Sequence, residues 1–413
     1  MYCGVMKVWV KLVVGSIFGL LLGFLLPENH PVVLDTFAFL QKLAIGIGRY
    51  TALPIIVFSL TIGIYELRED GKFWPLLIRT LLLIAGISFF VIALGIGVTL
   101  LFSPGRIPVL IEQESGDVFF SPAQNVLDIF SPNMLSVLSE GGVYVFPLCI
   151  FAFFLASGLR YDRNYTKPVI SLIDSLSRIL FHIAEFFSEL LGLLIIVLTA
   201  YWAIQYKDIA GTGIFGPVIR MLLIYAAILV FVVLPTLLFF IDRAPWKVLY
   251  GCLGPAIAAF FSGDYNFSIP VLMMHLKNNL GIRRRSSSVT FALFSTFGKS
   301  GSAMIACIAF MVIIQSYSSL GIPGSGILQI GITTFFLSFL LARNSSDAAF
   351  TALAILCMRY GHGFETGYLI LKPIAFYLVS IGTFIDIVIT ALGSFAIARL
   401  NGFQEEKSVK RFI

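Results

Sequence analysis

Five charged residues fall inside otherwise apolar runs from residue 249 onward in this sequence: Asp264, Lys299, Arg343, Asp347 and Asp386. Each stands among glycine and small polar residues. The settings are Ser262-Gly263-Asp264-Tyr265-Asn266-Phe267-Ser268, Ser295-Thr296-Phe297-Gly298-Lys299-Ser300-Gly301-Ser302, Arg343-Asn344-Ser345-Ser346-Asp347 and Ser380-Ile381-Gly382-Thr383-Phe384-Ile385-Asp386. Charge and glycine-rich backbone at membrane depth are tolerated only where protein or a watery cavity surrounds them. Ionised together, the five leave one negative charge in excess, which suits a proton, a monovalent cation or a cationic group on a solute. Lys299 costs roughly 3 kcal/mol near the centre of a membrane helix, so it needs a partner among the three aspartates. Three roles are open to it: an internal cation that takes the carbonyls a metal ion would receive, a direct solute contact, or a plain salt bridge. Arg343 either holds a solute carboxylate through its guanidinium fork or is a solvated arginine at a turn. Tyr265 either stacks on the solute or is a buried tyrosine with a satisfied hydroxyl.

Other constellations carry less. Gly298-Lys299-Ser300 has the ending of a phosphate-binding loop, but Leu293 stands where the motif needs its first glycine and no strand precedes it. His182, Glu185 and Glu189 share a helix face, which is read as a polar stripe between helices rather than a metal or proton site. Arg283-Arg284-Arg285-Ser286-Ser287-Ser288 reads as a topology anchor followed by a helix N-cap rather than a phosphorylation site. The five cysteines are scattered with no CxxC pair and imply packing, with neither metal nor disulfide. No serine–histidine–acid arrangement argues for an intramembrane hydrolase.

The elements that must position these residues are membrane helices. Hydrophobic residues make up 58% of the 413-residue chain, charged residues 12%, and the mean hydropathy is +0.96. A soluble domain carries about 25% charged residues, so the composition implies an all-α polytopic membrane protein with room for roughly eight to twelve spans. The net charge of +6 sits in short loops and does not point to nucleic acid. Spans are expected at about Val8–Leu26 (a first span, not a cleaved signal), Leu34–Leu67 (tilted or broken near Pro54), Trp74–Phe102, Val143–Leu159, Leu172–Tyr206 and Pro217–Ile241. Between the third and fourth, Glu112, Glu114, Asp117 and Asp128 against Arg106 mark an outside segment. Lys7, Lys11, Arg68, Lys72, Arg160, Arg243, Lys247, Arg283 to Arg285 and the Lys407–Arg411 tail fall together on the other side, which places both termini in the cytoplasm. From Leu249 the pattern changes. Leu249–Leu280 enters and leaves on one side, a re-entrant hairpin turning at Gly263–Ser268, and Ser288–Tyr317 is a helix broken at Gly298–Gly301. Past the outside loop Gly321–Gly326, Ile327–Met358 is a second hairpin turning at Arg343–Asp347, and Leu369–Leu400 is a helix interrupted at Ser380–Asp386. Hairpin plus interrupted helix thus occurs twice in opposite orientation, the signature of inverted repeats around a midplane transport site.

The residues that carry a resemblance run along nearly the whole chain. They are the opening helix, Leu53-Pro54-Ile55-Ile56-Val57-Phe58-Ser59-Leu60, Leu101-Phe102-Ser103-Pro104-Gly105, and Ala258-Ala259-Phe260-Phe261 leading to Pro270 and Gly281-Ile282. In these the chain resembles the dicarboxylate/amino acid:cation symporter family, the glutamate-transporter homologues, as a divergent member. The resemblance implies eight transmembrane helices plus two re-entrant helical hairpins, a homotrimer, and a scaffold against which a transport domain moves as an elevator. It implies scaffold helices 1–2 at 1–73 and 4–5 at 130–216. It implies transport-domain helix 3 with the following loop at 74–129 and helix 6 at 217–248. The first hairpin falls at 249–285, broken helix 7 at 286–324, the second hairpin at 325–365, and helix 8 with the tail at 366–413. The family's sodium motif Asn-Met-Asp-Gly-Thr is here Gly298-Lys299-Ser300-Gly301-Ser302. The first tip reads Gly263-Asp264-Tyr265-Asn266 instead of a serine-rich run, with Ser268 at a family threonine. The second tip lacks the family's Gly-x-Pro-Gly. In the last helix the family aspartate and arginine that grip an amino acid align with Val379 and Gly382. There Thr383 is retained, Asp386 replaces an asparagine, and Thr390 replaces a sodium-binding aspartate.

The expectation is a symporter-like secondary active transporter of a small polar solute, a dicarboxylate or amino acid, and not an enzyme. It should lie in the inner (cytoplasmic) cell membrane, with its solute and the lipid bilayer as partners. Broken-helix amides would face an anionic solute group. The expected solute-binding set is Asp264, Tyr265, Asn266, Ser268, Arg343, Asn344, Ser345, Ser346, Thr383 and Asp386. The coupling or internal-cation set is Lys299, Ser300, Ser302, Asp386 and Thr390. No cofactor or bound metal is expected, and the changed sodium motif argues for a proton or for no coupling ion. The alternatives are an anion-conducting channel and a non-transporting membrane sensor on the same fold.

Overall fold

A computed structural model describes residues 7–27, 31–102, 107, 144–317, 323–343, 346–361, 363–409 and 412. Arg106, Glu112, Glu114, Asp117 and Asp128 of the acidic segment, Gly321-Ile322 and Lys410-Arg411 lie outside the described residues. Among those described the chain is helical, with a lone bridge between Ile282 and Gln404. Eight of its helices are long and apolar enough to cross a membrane. One of the eight is an arm of the second hairpin, Gly324–Arg343. The expected fourth span is described only over Val145–Gly158, too short to count among them.

The first helix, α1 (Val8–Leu25), packs along α6 (Arg163–Thr212). Gly15, Gly19 and Gly23 recur every four residues and lay one bare face of α1 on α6, where a Cβ at Gly15 would stand 2.6 Å from the Gly192 carbonyl oxygen. Small residues at this spacing let membrane helices approach closely without a hydrophobic driving force between them. The expected long second span breaks at Tyr50-Thr51 into α2 (Pro31–Arg49) and α3 (Ala52–Glu69). Pro54 therefore sits in the first turn of α3, where its missing N–H costs nothing. Next come α4 (Phe73–Leu101) and α5 (Val145–Gly158). The sixth span is α7 (Gly216–Ile228), a π-turn over Leu229–Val233, and α8 (Leu234–Phe239). Pro235, which cannot donate into the ladder, explains the π-turn.

After the short α9 (Pro245–Gly251), the first hairpin is α10 (Leu253–Ser262) and α11 (Tyr265–Asn278), joined at Gly263-Asp264. The broken helix follows as α12 (Arg284–Phe297) and α13 (Ser300–Tyr317). The second hairpin is α14 (Gly324–Leu340), a 3-10 turn over Leu341–Arg343 and α15 (Ala348–Tyr360). The last helix departs from expectation. After a 3-10 stretch at Gly367–Ile374, which contains Pro373, α16 (Ala375–Leu400) runs unbroken through Ser380–Asp386. Thr383 and Asp386 find their partners on neighbouring elements, so the backbone there has no need to open.

Burial sorts these helices. Within its most apolar window the α12–α13 span is 94% buried and the α16 span 83%, against 28% for α1 and for α4. The broken helix and α16 are therefore the core, and α1 and α4 face outward. The basic loop Arg283 to Arg285 ties hairpin to helices. Arg284 pairs with Asp174 and lies 3.7 Å from Glu66, Arg285 meets Asp70 at 2.6 Å, and Arg283 meets Glu405 at 3.3 Å. The helix starts at Arg284 with Arg283 as its N-cap, so Ser286 to Ser288 lie inside the helix and none of them is the N-cap. His182 and Glu185, 3.0 Å apart, face outward from α6 at 78% and 37% exposure rather than lying between helices. No group of three or more potential metal ligands occurs among the described residues.

Candidate functional site

The site forms where the first tip, the break between α12 and α13, and α16 meet. Gly263 closes α10 in the left-handed region at φ 65°, a conformation only glycine adopts without strain. The chain then extends at Asp264, whose Oδ1 accepts the Phe267 N–H at 2.9 Å and caps α11. Asp264 is 2% exposed. Its other oxygen pairs with the Arg49 guanidinium, which reaches over from the C-terminal end of α2. Gly48 beside it lies against the Phe267 ring and keys that end of α2 to the tip.

A second charge cluster lies deeper. Lys299, 1% exposed, projects from the break, its Nζ 3.0 Å from the Tyr265 ring centroid, a cation–π arrangement in a desolvated setting. The Asp386 carboxylate on α16 is the acidic charge that acts on it, without an ion pair within 4.0 Å between the two. That carboxylate also caps α13. Its Oδ1 accepts the Gly301 N–H at 2.7 Å and its Oδ2 the Ser302 hydroxyl at 2.6 Å. An anion is favoured here, because the first amides of α13 lack intrahelical acceptors and the helix dipole points its positive end at it. A Cβ at Gly301 would stand 2.6 Å from Ile385 Cγ2, so the approach of α13 to α16 depends on that glycine. Thr390 donates to the Asp386 carbonyl at 2.7 Å, so the Tyr265 hydroxyl, 2.9 Å away, is the donor to Thr390. Tyr265 also stacks on Phe291 at 6.5 Å.

The expected residues thus separate into two groups. A cavity of about 280 Å³ opens between the tips. It is lined by Gln41 and Arg49 from α2, Gly263 and Asp264 from the first tip, and Ser346 and Asp347 from the second. Beneath it lie Tyr265, Lys299, Ser302, Asp386 and Thr390, all buried. Hydrogen bonds join Tyr265 to Thr390, Thr390 to Asp386 and Asp386 to Ser302, and Lys299 is held against the Tyr265 ring. Tyr265 and Asp386, expected to touch solute, belong to this inner group, because their polar atoms are spent on Thr390 and on α13. Thr383 joins the groups by donating to the Gly263 carbonyl at 3.4 Å. Ser268 turns back onto the Asp264 carbonyl at 3.3 Å, and Asn266 is buried within α11. Ser300 is buried with no hydrogen-bond partner for its hydroxyl among the described residues. Arg343 is exposed and does not line the cavity. Asn344 and Ser345 lie outside the described residues.

Arg49 is the residue that sequence reasoning missed. It is 27% exposed, and its Nε is buried without a hydrogen-bond partner among the described residues. A basic residue at the end of an apolar helix ordinarily reads as an interface anchor. A larger cleft of about 600 Å³ lies between α14 and α15, but apart from Arg359 and Thr333 its lining is apolar.

Comparisons with known proteins converge. The model of the sodium:dicarboxylate symporter family matches residues 8–400. The serine/threonine transporter SstT of Streptococcus agalactiae serotype III is 24% identical over 392 residues, covering 93% of this chain and 88% of its own. The neutral amino acid transporter B(0) of Oryctolagus cuniculus is 23% identical over 360 residues, covering 73% of this chain, which spans 66% of that protein's length. The proton/sodium-glutamate symport protein of Bacillus subtilis is 22% identical over 318 residues, with 74% and 73% covered.

Proposed function

The chain belongs to the sodium:dicarboxylate symporter family, and from that premise we propose that it carries a small zwitterionic or dicarboxylic solute across the cytoplasmic membrane as a secondary active transporter. The similar proteins named for serine and threonine, for neutral amino acids and for glutamate support an amino acid. The cavity between the tips carries the reading. Its Arg49 brings a guanidinium to a solute carboxylate, and Asp347 offers a carboxylate to a solute ammonium. At about 280 Å³ it matches the low end of small-molecule pockets. Motion of an elevator type would part α2 from the first tip in each cycle, with the Arg49–Asp264 pair as the contact broken. A trimer and cytoplasmic termini complete the reading, the latter supported by the gathering of lysine and arginine on one side.

Lys299 is the internal cation of this transporter. The residues at the break do not fit a sodium ion: an ammonium already lies there, and both Asp386 oxygens are engaged by α13. The lysine therefore supplies from within the chain the positive charge that a coupling ion would bring and remove. Counterflow in proteoliposomes tests the carrier reading. Vesicles loaded with unlabelled serine, glutamate or succinate should accumulate the labelled form of one of them by exchange. Ionic current with no solute exchange would make the protein a channel instead.

A further inference from the structure

The end of the chain folds back on the basic side of the molecule and builds a second site. After α16, Glu405 N donates to the Gly281 carbonyl at 2.8 Å and Arg283 N to the Phe403 carbonyl at 2.9 Å. Phe412, 2% exposed, stacks on Tyr250 at 6.0 Å. Between this returning segment and the turn after α8 lies a cleft of about 430 Å³. Four cations line it, Arg243, Lys247, Arg399 and Lys407, with two carboxylates, Asp242 and Glu406. Arg399 engages both carboxylates, each at 3.5 Å, and Asp242 also caps the Ala244 N–H at 2.8 Å. Arg243, Lys247 and Lys407 are left facing the cleft with no acidic partner among the described residues. Like charges gathered without counter-ions repel one another unless an anion joins them.

The surroundings say which anion. The cleft opens where the α7–α8 span ends, and the outer face of that span is bare apolar surface: Val232 is 57% exposed, Phe239 59% and Phe240 84%. Trp246, 60% exposed, stands between Arg243 and Lys247 in the sequence, an aromatic of the kind that marks the headgroup layer. A free anion would use the cations alone. An anionic phospholipid uses the cations for its phosphate and the adjoining apolar face for its acyl chains.

We propose that this cleft binds the phosphate group of an anionic phospholipid through Arg243, Lys247 and Lys407, with the acyl chains along the exposed face of α7 and α8. It shares no residue with the solute cavity and does not depend on the transport reading. Basic pockets at the ends of membrane helices recognise such headgroups, at about 1 kcal/mol for each basic residue near the surface. The test is thermal unfolding of the full-length protein in neutral detergent, titrated with phosphatidylglycerol, phosphatidylcholine or inorganic phosphate. Phosphatidylglycerol should raise the melting temperature saturably, and phosphatidylcholine should not. In the Lys247→Gln/Lys407→Gln variant the half-saturating phosphatidylglycerol concentration should rise by at least about tenfold, two such residues being removed. The charge-matched Arg160→Gln/Lys167→Gln variant, altered at exposed positions outside the cleft, should keep the wild-type midpoint. An equal shift with phosphatidylcholine, an equal loss in the control variant, or no shift at all would overturn the proposal. A shift with inorganic phosphate as large as with the lipid would overturn the lipid assignment. Each variant's melting temperature without lipid shows whether it folds.

Discussion

The molecule holds two pairings of a basic with an acidic side chain within one small region, and they are built differently. Lys299 and Asp386 are both 1% exposed, and every oxygen of the carboxylate is engaged by the start of α13. Arg49 and Asp264 face a cavity, Arg49 keeps an unpartnered Nε, and Asp347 stands on the opposite wall. In the first pair the carboxylate has no oxygen left for a ligand, whereas the second pair lines a cavity that a ligand can enter. On the proposed reading the break holds the internal cation and the tips carry the ligand chemistry, although Asp264 and Lys299 lie in one stretch of polar sequence.

The comparison can be broken at several points. Lys299→Met has the largest expected effect, because removing one partner of a buried charge pair costs about 3–5 kcal/mol. Denaturant unfolding in detergent should show that loss, and the double variant with Asp386→Asn should recover part of it. Gly301→Ala comes next. Its methyl group must enter where Ile385 Cγ2 stands 2.6 Å away, an overpacking worth about 1–3 kcal/mol, and the unfolding midpoint should fall accordingly. Arg49→Gln should act mainly on the solute. Loss of a charge-assisted hydrogen bond of about 1.5–3 kcal/mol should raise KM for uptake tenfold or more. Its effect on the unfolding midpoint should be smaller than that of Lys299→Met, since Asp264 keeps its cap on α11. An Arg49 variant as unstable as the Lys299 variant, with unchanged KM, would reverse the two assignments. Arg343→Gln should do least, within about 0.5 kcal/mol as for other exposed positions, and should leave uptake unchanged.

Much of this was legible in the sequence, and the failures have physical causes. The hairpins, the break at Gly298–Lys299 and the partnership of Lys299 with an aspartate follow from the cost of polar groups in an apolar run. That cost is local and can be read residue by residue. The continuity of α16 was not legible, because Asp386 and Thr383 find their partners on α13 and on the first tip rather than in their own backbone. Arg49 was invisible for the same reason. Its partner lies 215 residues away, and nothing in Ala44-Ile45-Gly46-Ile47-Gly48-Arg49 distinguishes it from a helix-end anchor. The expected solute set was drawn from sequence neighbours, whereas the tip turns alternate residues to opposite fates: Asp264 to the cavity, Tyr265 to the interior.

The central claim is that Lys299 stands permanently where a coupling cation would come and go. The most direct test is uptake of the accepted solute by wild-type protein in proteoliposomes, with external sodium replaced by N-methylglucamine. Uptake that is unchanged by the replacement is the predicted result. Uptake that collapses without sodium, and returns with it saturably, would contradict the claim.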